Sequence, residues 1–276
     1  MTALGYYIRK PAERIRAVAP RLVSRDLRTL PTGRFVSICF DDFPKSAFTQ
    51  AMPALARRNW KATWYVAGSM MGQDHSVHGR MFDAGDLKAL RAARHDIGCH
   101  TFSHMDCAPA SNAEVAEDLE RNHAFFRKLH LPRARSFAFP FGRVDLSAKK
   151  LVMGRMPAVR GVRPGVHRGS VDRGLLQATG IEDYNGGVTL ALNQLDTMKS
   201  DAAGLSFSRT TSRKRPARGA ARQLISIVFS TPSTVPVRPS RQFRRCYRAS
   251  KGRSAENPAT AVHILRLAFR AIVHMS

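Results

Sequence analysis

Between residues 34 and 192, short runs rich in β-branched and aromatic side chains alternate with stretches of helical period. That alternation leaves few options. Strands joined through helices run parallel, and their apolar faces must be covered by those helices, so an α/β fold with a parallel sheet is expected. Residues 35–40 read as the first strand. Residues 46–59 follow as a helix, with Phe48, Met52, Leu55 and Ala56 on one face. Residues 62–66 form the second strand, ended by Gly68. A helix over 84–93 and a short strand over 96–99 come next. Ser111-Asn112-Ala113-Glu114 is a capping-box pattern that opens a helix to about Leu129, with Val115, Leu119, Asn122 and Phe126 at helical spacing. Residues 135–139 give a strand stopped by Pro140 and Gly142. A helix over 147–154, a strand over 157–162 and a helix over 189–198 complete the alternation.

Two motifs on this frame carry chemistry. Phe40-Asp41-Asp42 closes the first apolar run, and residues 100 to 104 read His-Thr-Phe-Ser-His. Two imidazoles four residues apart face one way on a helical turn and can bind one metal ion. A carboxylate from a separate strand end would complete a two-His, one-carboxylate site with open positions, and a second carboxylate beside it can act as base. That is equipment for metal-assisted hydrolysis. A third motif, Phe139-Pro140-Phe141-Gly142, stands at a later strand end. His75, His78, His95, His123, His130 and His167 have no matching company and read as surface groups. Trp60, Trp64 and Tyr65 read as core.

In this order and at these intervals the three motifs resemble the polysaccharide deacetylases of carbohydrate esterase family 4, which include chitin and peptidoglycan deacetylases and the nodulation-type chitooligosaccharide deacetylases. The resemblance covers about residues 33 to 192. It implies a distorted (β/α) barrel with the site at the C-terminal ends of its strands. It also implies that Asp42, His100 and His104 hold a divalent metal, usually zinc, although cobalt or nickel would fit the same ligands. Asp41 would be the catalytic base, taking a proton from the water that attacks an N-acetyl carbonyl. Pro140 and Phe141 would line the substrate groove, with the Phe141 backbone N–H at the oxyanion. The implied partner is an N-acetylated oligo- or polysaccharide.

The chain departs from the family pattern twice. The family's third motif usually has an Arg two residues before the Pro, where it orients the catalytic Asp; here that position is Ala138. The family also ends its barrel with an apolar strand followed by a His that protonates the leaving amine. Residues 224–229 are the one apolar candidate strand, and Ser230-Thr231-Pro232-Ser233 follows it. No general acid is assigned. The barrel therefore reads as incomplete at its C-terminal end.

Three segments follow: an N-terminal extension over 1–32, the deacetylase-like barrel over 33–196, and a basic tail over 197–276. The net charge is +25, and the tail carries sixteen Lys and Arg against two acids, with no sustained period. It is either a native tail of low order or a segment read in a shifted frame. Resequencing separates the two: a shift requires another frame that encodes an apolar strand followed by a His near Phe229. Its aromatics are scattered without a nucleic-acid-binding pattern, so no specific nucleic-acid partner is expected. Residues 262–273 are basic and apolar, with the charge spacing of a membrane-surface helix or a frayed terminal one. No apolar run approaches the length of a spanning helix. The first residues lack a leader pattern and the four cysteines form no CxxC pair, so a cytoplasmic location is the expectation. Two functions stand on this reading: a metal-dependent N-acetyl hydrolase, and a catalytically impaired relative that binds metal and sugar without turnover. The oligomeric state has no signal in the sequence.

Overall fold

The computed structural model describes residues 18–20, 22–23, 27–29, 34–76, 78–181, 186–198, 203–208 and 226–227. β1 (Leu27–Thr29) and β2 (Arg34–Phe40) lead into α1 (Lys45–Arg57) and β3 (Thr63–Val66). A small hairpin, β4 (Asp74–His75) and β5 (Gly79–Arg80), precedes α2 (Ala84–Ala92) and β6 (Asp96–Cys99). α3 (Asn112–Lys128), β7 (Ser136–Ala138), α4 (Leu146–Met153) and β8 (Ala158–Arg160) continue the alternation. Three short strands follow: β9 (Val166–Arg168), β10 (Ser170–Asp172) and β11 (Thr179–Gly180). α5 (Gly187–Thr197), β12 (Ala203–Ser208) and β13 (Ser226–Ile227) come last.

The main sheet runs β11-β12-β2-β3-β6-β7-β8, parallel along that path, and it curls into part of a (β/α) barrel, as expected. β12 joins β2 in parallel, from Ala203 opposite Arg34 to Phe207 opposite Ile38. Ordered sheet thus reaches Ser208, into the segment drawn from sequence as the tail. Residues 209–225 and 228–276, including the basic stretch at 262–273, lie outside the described residues. Among the described residues no helix is long and apolar enough to cross a membrane.

Local chemistry fixes the helix starts. Ser111 accepts from the Glu114 N–H while the Glu114 carboxylate accepts from the Ser111 N–H, which satisfies two amides at the start of α3. Val115, Leu119, Asn122 and Phe126 then form its buried stripe. Asp83 and Asp86 repeat the capping box at α2, and Lys45 at the start of α1 donates to both carboxylates at 2.7 Å. Trp64, fully buried, stacks on Phe40 at 3.9 Å and meets Phe43 at 4.6 Å, so β3 anchors the core under the end of β2.

The histidines outside the motif are not uniformly superficial. His123 and His167 are buried, and His95 is half-buried. His95 Nδ1 accepts the Ala62 N–H at 3.0 Å, which ties the turn before β6 to the entry of β3. Burial, then the nearby Lys61, push its pKa down to about 4 from 6.5. The neutral ring is the native form, so this contribution is complete above pH 6.5 and is lost as pH falls toward 4. Urea unfolding of His95→Gln is expected to show a shallower loss of stability across that window than the wild-type chain.

Candidate active site

The C-terminal ends of β2, β6, β7 and β8 converge. β2 ends in Asp41 and Asp42, 5% and 1% exposed. Two adjacent carboxylates in the interior cannot share one direction without severe repulsion. The backbone separates them: Asp42 and Phe43 both take left-handed conformations, at φ 59° and 50°, and the Phe43 N–H closes a tight turn onto the Asp41 carbonyl at 2.6 Å. Phe43 is itself fully buried, which anchors the turn.

Asp42 points at the two motif histidines. Its Oδ1 lies 2.9 Å from His104 Nε2 and 3.4 Å from His100 Nε2. One ligand atom from each of the three residues falls within 4.8 Å of the others. His100 Nδ1 meets the Ala138 carbonyl at 2.7 Å, which makes Nδ1 the donor and leaves the Nε2 lone pair for the site. Burial pushes the Asp42 carboxyl up, but hydrogen bonding and charge from His100 and His104 outweigh it and hold Asp42 well below the usual range. Burial lowers His104, and the Asp42 carboxylate overrides that and raises it. One hard carboxylate oxygen and two imidazole nitrogens, with the second nitrogen of His100 tied back to the Ala138 carbonyl, suit a divalent ion such as zinc. The donor set fits the metal that the sequence implied.

The histidines are not on a helical turn, as their spacing had suggested. Residues 100–104 form an irregular loop in which Thr101 and His104 are left-handed. Asp118 of α3 holds it, accepting the Phe102 N–H at 2.6 Å and the Ser103 N–H at 3.0 Å. Thr101 Oγ1 accepts the Met105 N–H at 2.9 Å. Side-chain acceptors do what helical hydrogen bonds would have done.

Asp41 turns the other way, onto Arg160 at the end of β8. Their ion pair is buried, with both side chains about 1% exposed. Arg160 stands opposite Ala138 in the β7–β8 register, so the arginine missing from the third motif is supplied by the next strand. Tyr65 lies flat beneath the Arg160 guanidinium, 4.7 Å from ring centre to Cζ. Burial pushes the Asp41 carboxyl above the ordinary aspartate value, with Arg160 and then His100 pulling against it. The Arg160 guanidinium is held charged despite its burial, chiefly by Asp41. With Oδ1 committed to Arg160, Asp41 Oδ2 is a buried acceptor with no hydrogen bond among the described residues. Sequence reading missed Arg160 among 45 Lys and Arg. The available signal was an arginine inside the strand run 157–162, next to the third motif.

Pro140 opens a single 3₁₀ turn after β7, and Phe141 in it is left-handed at φ 59°. The Phe141 ring is half-exposed and sits 4.5 Å from the His104 ring, at the mouth of the site. Gly142 at φ +63° follows, where an added Cβ would meet Val162 at 2.0 Å; only glycine fits there. The Arg143–Asp106 ion pair, at 2.7 Å, ties this turn to the loop after His104.

Residues 30–153 match the family model described as polysaccharide deacetylase. The peptidoglycan-N-acetylglucosamine deacetylase PgdA of Listeria monocytogenes is 31% identical over 85 residues, 30% of this chain and 16% of that protein. The chain thus matches well under a fifth of that relative's length. Among solved structures, IcaB from Ammonifex degensii is 23% identical with a TM-score of 0.44, over 56% of this chain and 69% of that one. The Streptococcus pyogenes deacetylase PplD, solved with acetate, is 19% identical with a TM-score of 0.46, over 63% and 73%.

Removing one partner of a buried ion pair leaves the other charge stranded, at a cost of about 3–5 kcal/mol. Arg160→Met is expected to lose about that much in urea unfolding at neutral pH. Adding Asp41→Asn should return about 1–3 kcal/mol of it. Additive losses would mean that the two residues do not act as a pair.

Proposed function

We propose that this chain hydrolyses N-acetyl groups on an amino-sugar oligomer or polysaccharide, with Asp41 as base and Asp42, His100 and His104 as ligands of a divalent metal, zinc by preference. The observation that carries this is the division of labour between the adjacent aspartates: Asp42 faces two imidazoles, and Asp41 faces a guanidinium with one oxygen left over. The match of residues 30–153 to the polysaccharide deacetylase family supports it, since that family deacetylates sugar polymers.

Asp41 Oδ2 accepts the proton of the attacking water. Arg160 keeps Asp41 aimed and balances its charge in an interior that would otherwise favour the neutral acid. A bound divalent ion supplies Lewis-acid polarisation of the acyl oxygen and makes water a better nucleophile. The Phe141 backbone N–H is the proposed second donor to the oxyanion, and its exposed ring offers an apolar wall for the acetyl methyl and sugar face. The leaving amine's proton donor is not assigned.

Acetate release from a panel of chitooligosaccharides and peptidoglycan fragments tests this. Metal-loaded wild type is expected to release acetate. Asp41→Asn should fall by about 10²–10⁴-fold, the usual worth of a positioned base. A metal chelator should abolish release, and zinc or cobalt should restore it. Absence of release from a chain that still binds metal in proportion would favour the binding-only reading. Arg160 weakens that alternative, because it supplies the charge that Ala138 had left missing.

A further inference from the structure

The Asp42 carboxylate has a second side. Its Oδ2, turned away from His100 and His104, faces His78 Nε2 at 3.9 Å. His78 was read from sequence as a surface group, yet its side chain is only 5% exposed. It arrives from the β4–β5 hairpin, two residues per strand, whose ends are clipped by Asp74 opposite Arg80 in register and by their ion pair at 3.1 Å. The His75 ring stacks on the His78 ring, with centroids 4.3 Å apart and planes 15° from parallel. An isolated imidazole on a hairpin turn would ordinarily swing into solvent. This one is braced from behind and directed at a buried carboxylate.

We propose that His78 is a positioning residue for the metal site, holding the far oxygen of Asp42 so that the near oxygen faces His100 and His104. The inference rests on the reading of Asp42, His100 and His104 as metal ligands. A carboxylate on one flexible torsion presents either oxygen, and fixing one of them removes that freedom before an ion arrives. Partners that orient a ligand in this way change metal affinity about 10–100-fold. At 3.9 Å the imidazole faces the carboxylate across a distance longer than a hydrogen bond. His78 touches the ligand and not the reacting atoms, which distinguishes it from Asp41.

The test is zinc affinity of the full chain, measured by competition with a chromophoric chelator, with circular dichroism as the folding control. His78→Phe keeps a ring against His75 and loses the nitrogen; His78→Gln loses the ring and keeps an N–H donor. Phe is expected to weaken zinc binding about 10–100-fold, and Gln to recover most of that loss. A folded Phe variant that binds zinc like wild type, or a Gln variant as weak as Phe, overturns the proposal and leaves the ligand reading standing. If the wild-type chain binds no zinc, the ligand reading fails and the role of His78 fails with it.

Discussion

Two neighbouring carboxylates buried at the end of one strand govern this structure. Each would be intolerable alone in the interior: an uncompensated buried charge costs several kcal/mol, or the group takes up a proton and loses its function. The chain sends them in opposite directions from a left-handed turn and provides each with its own partners. Asp41 receives Arg160 from β8. Asp42 receives His100 and His104 from the loop after β6. The parallel sheet delivers all of these to one end, because every strand in the run β2-β3-β6-β7-β8 points its C-terminus the same way.

The supports lie one layer back. Gly98 in β6 has no side chain because the Tyr65 ring lies against it; a Cβ there would meet the ring at 2.5 Å. Tyr65 carries the Arg160 guanidinium on its face, so a missing methyl group on one strand fixes the countercharge of Asp41 on another. Asp118 performs the same office for the histidine loop, from a helix whose own start is fixed by its capping box. The position of Ala138 gains meaning here. Its small side chain packs with Cys39, Tyr65 and Ala178, and its carbonyl orients His100, while the neighbouring strand supplies the arginine.

Much of this was legible in the sequence. Asp41, Asp42, His100 and His104 declare themselves through residue type, order and spacing, and the strands and helices that carry them have strong periods and recognisable caps. Residues 96–99 and the α3 capping box appear in the structure as the sequence indicated. What escaped was whatever depends on neighbours in space. Arg160 pairs with a residue 119 positions away and is one basic side chain among many. His78 sits in the turn between two strands of two residues each, too short to show any period. The left-handed loop at residues 100–104 hid behind a helical spacing, because its hydrogen bonds come from a side chain on another element.

The central claim is that Asp42, His100 and His104 form one metal centre with Asp41 beside it. Anomalous diffraction at the zinc edge, on crystals of the full chain grown with zinc, addresses it directly. The account predicts a strong peak within coordination distance of Asp42 Oδ1, His100 Nε2 and His104 Nε2, with Asp41 still paired to Arg160. A peak ligated by other side chains, with this triad left unliganded, would contradict it.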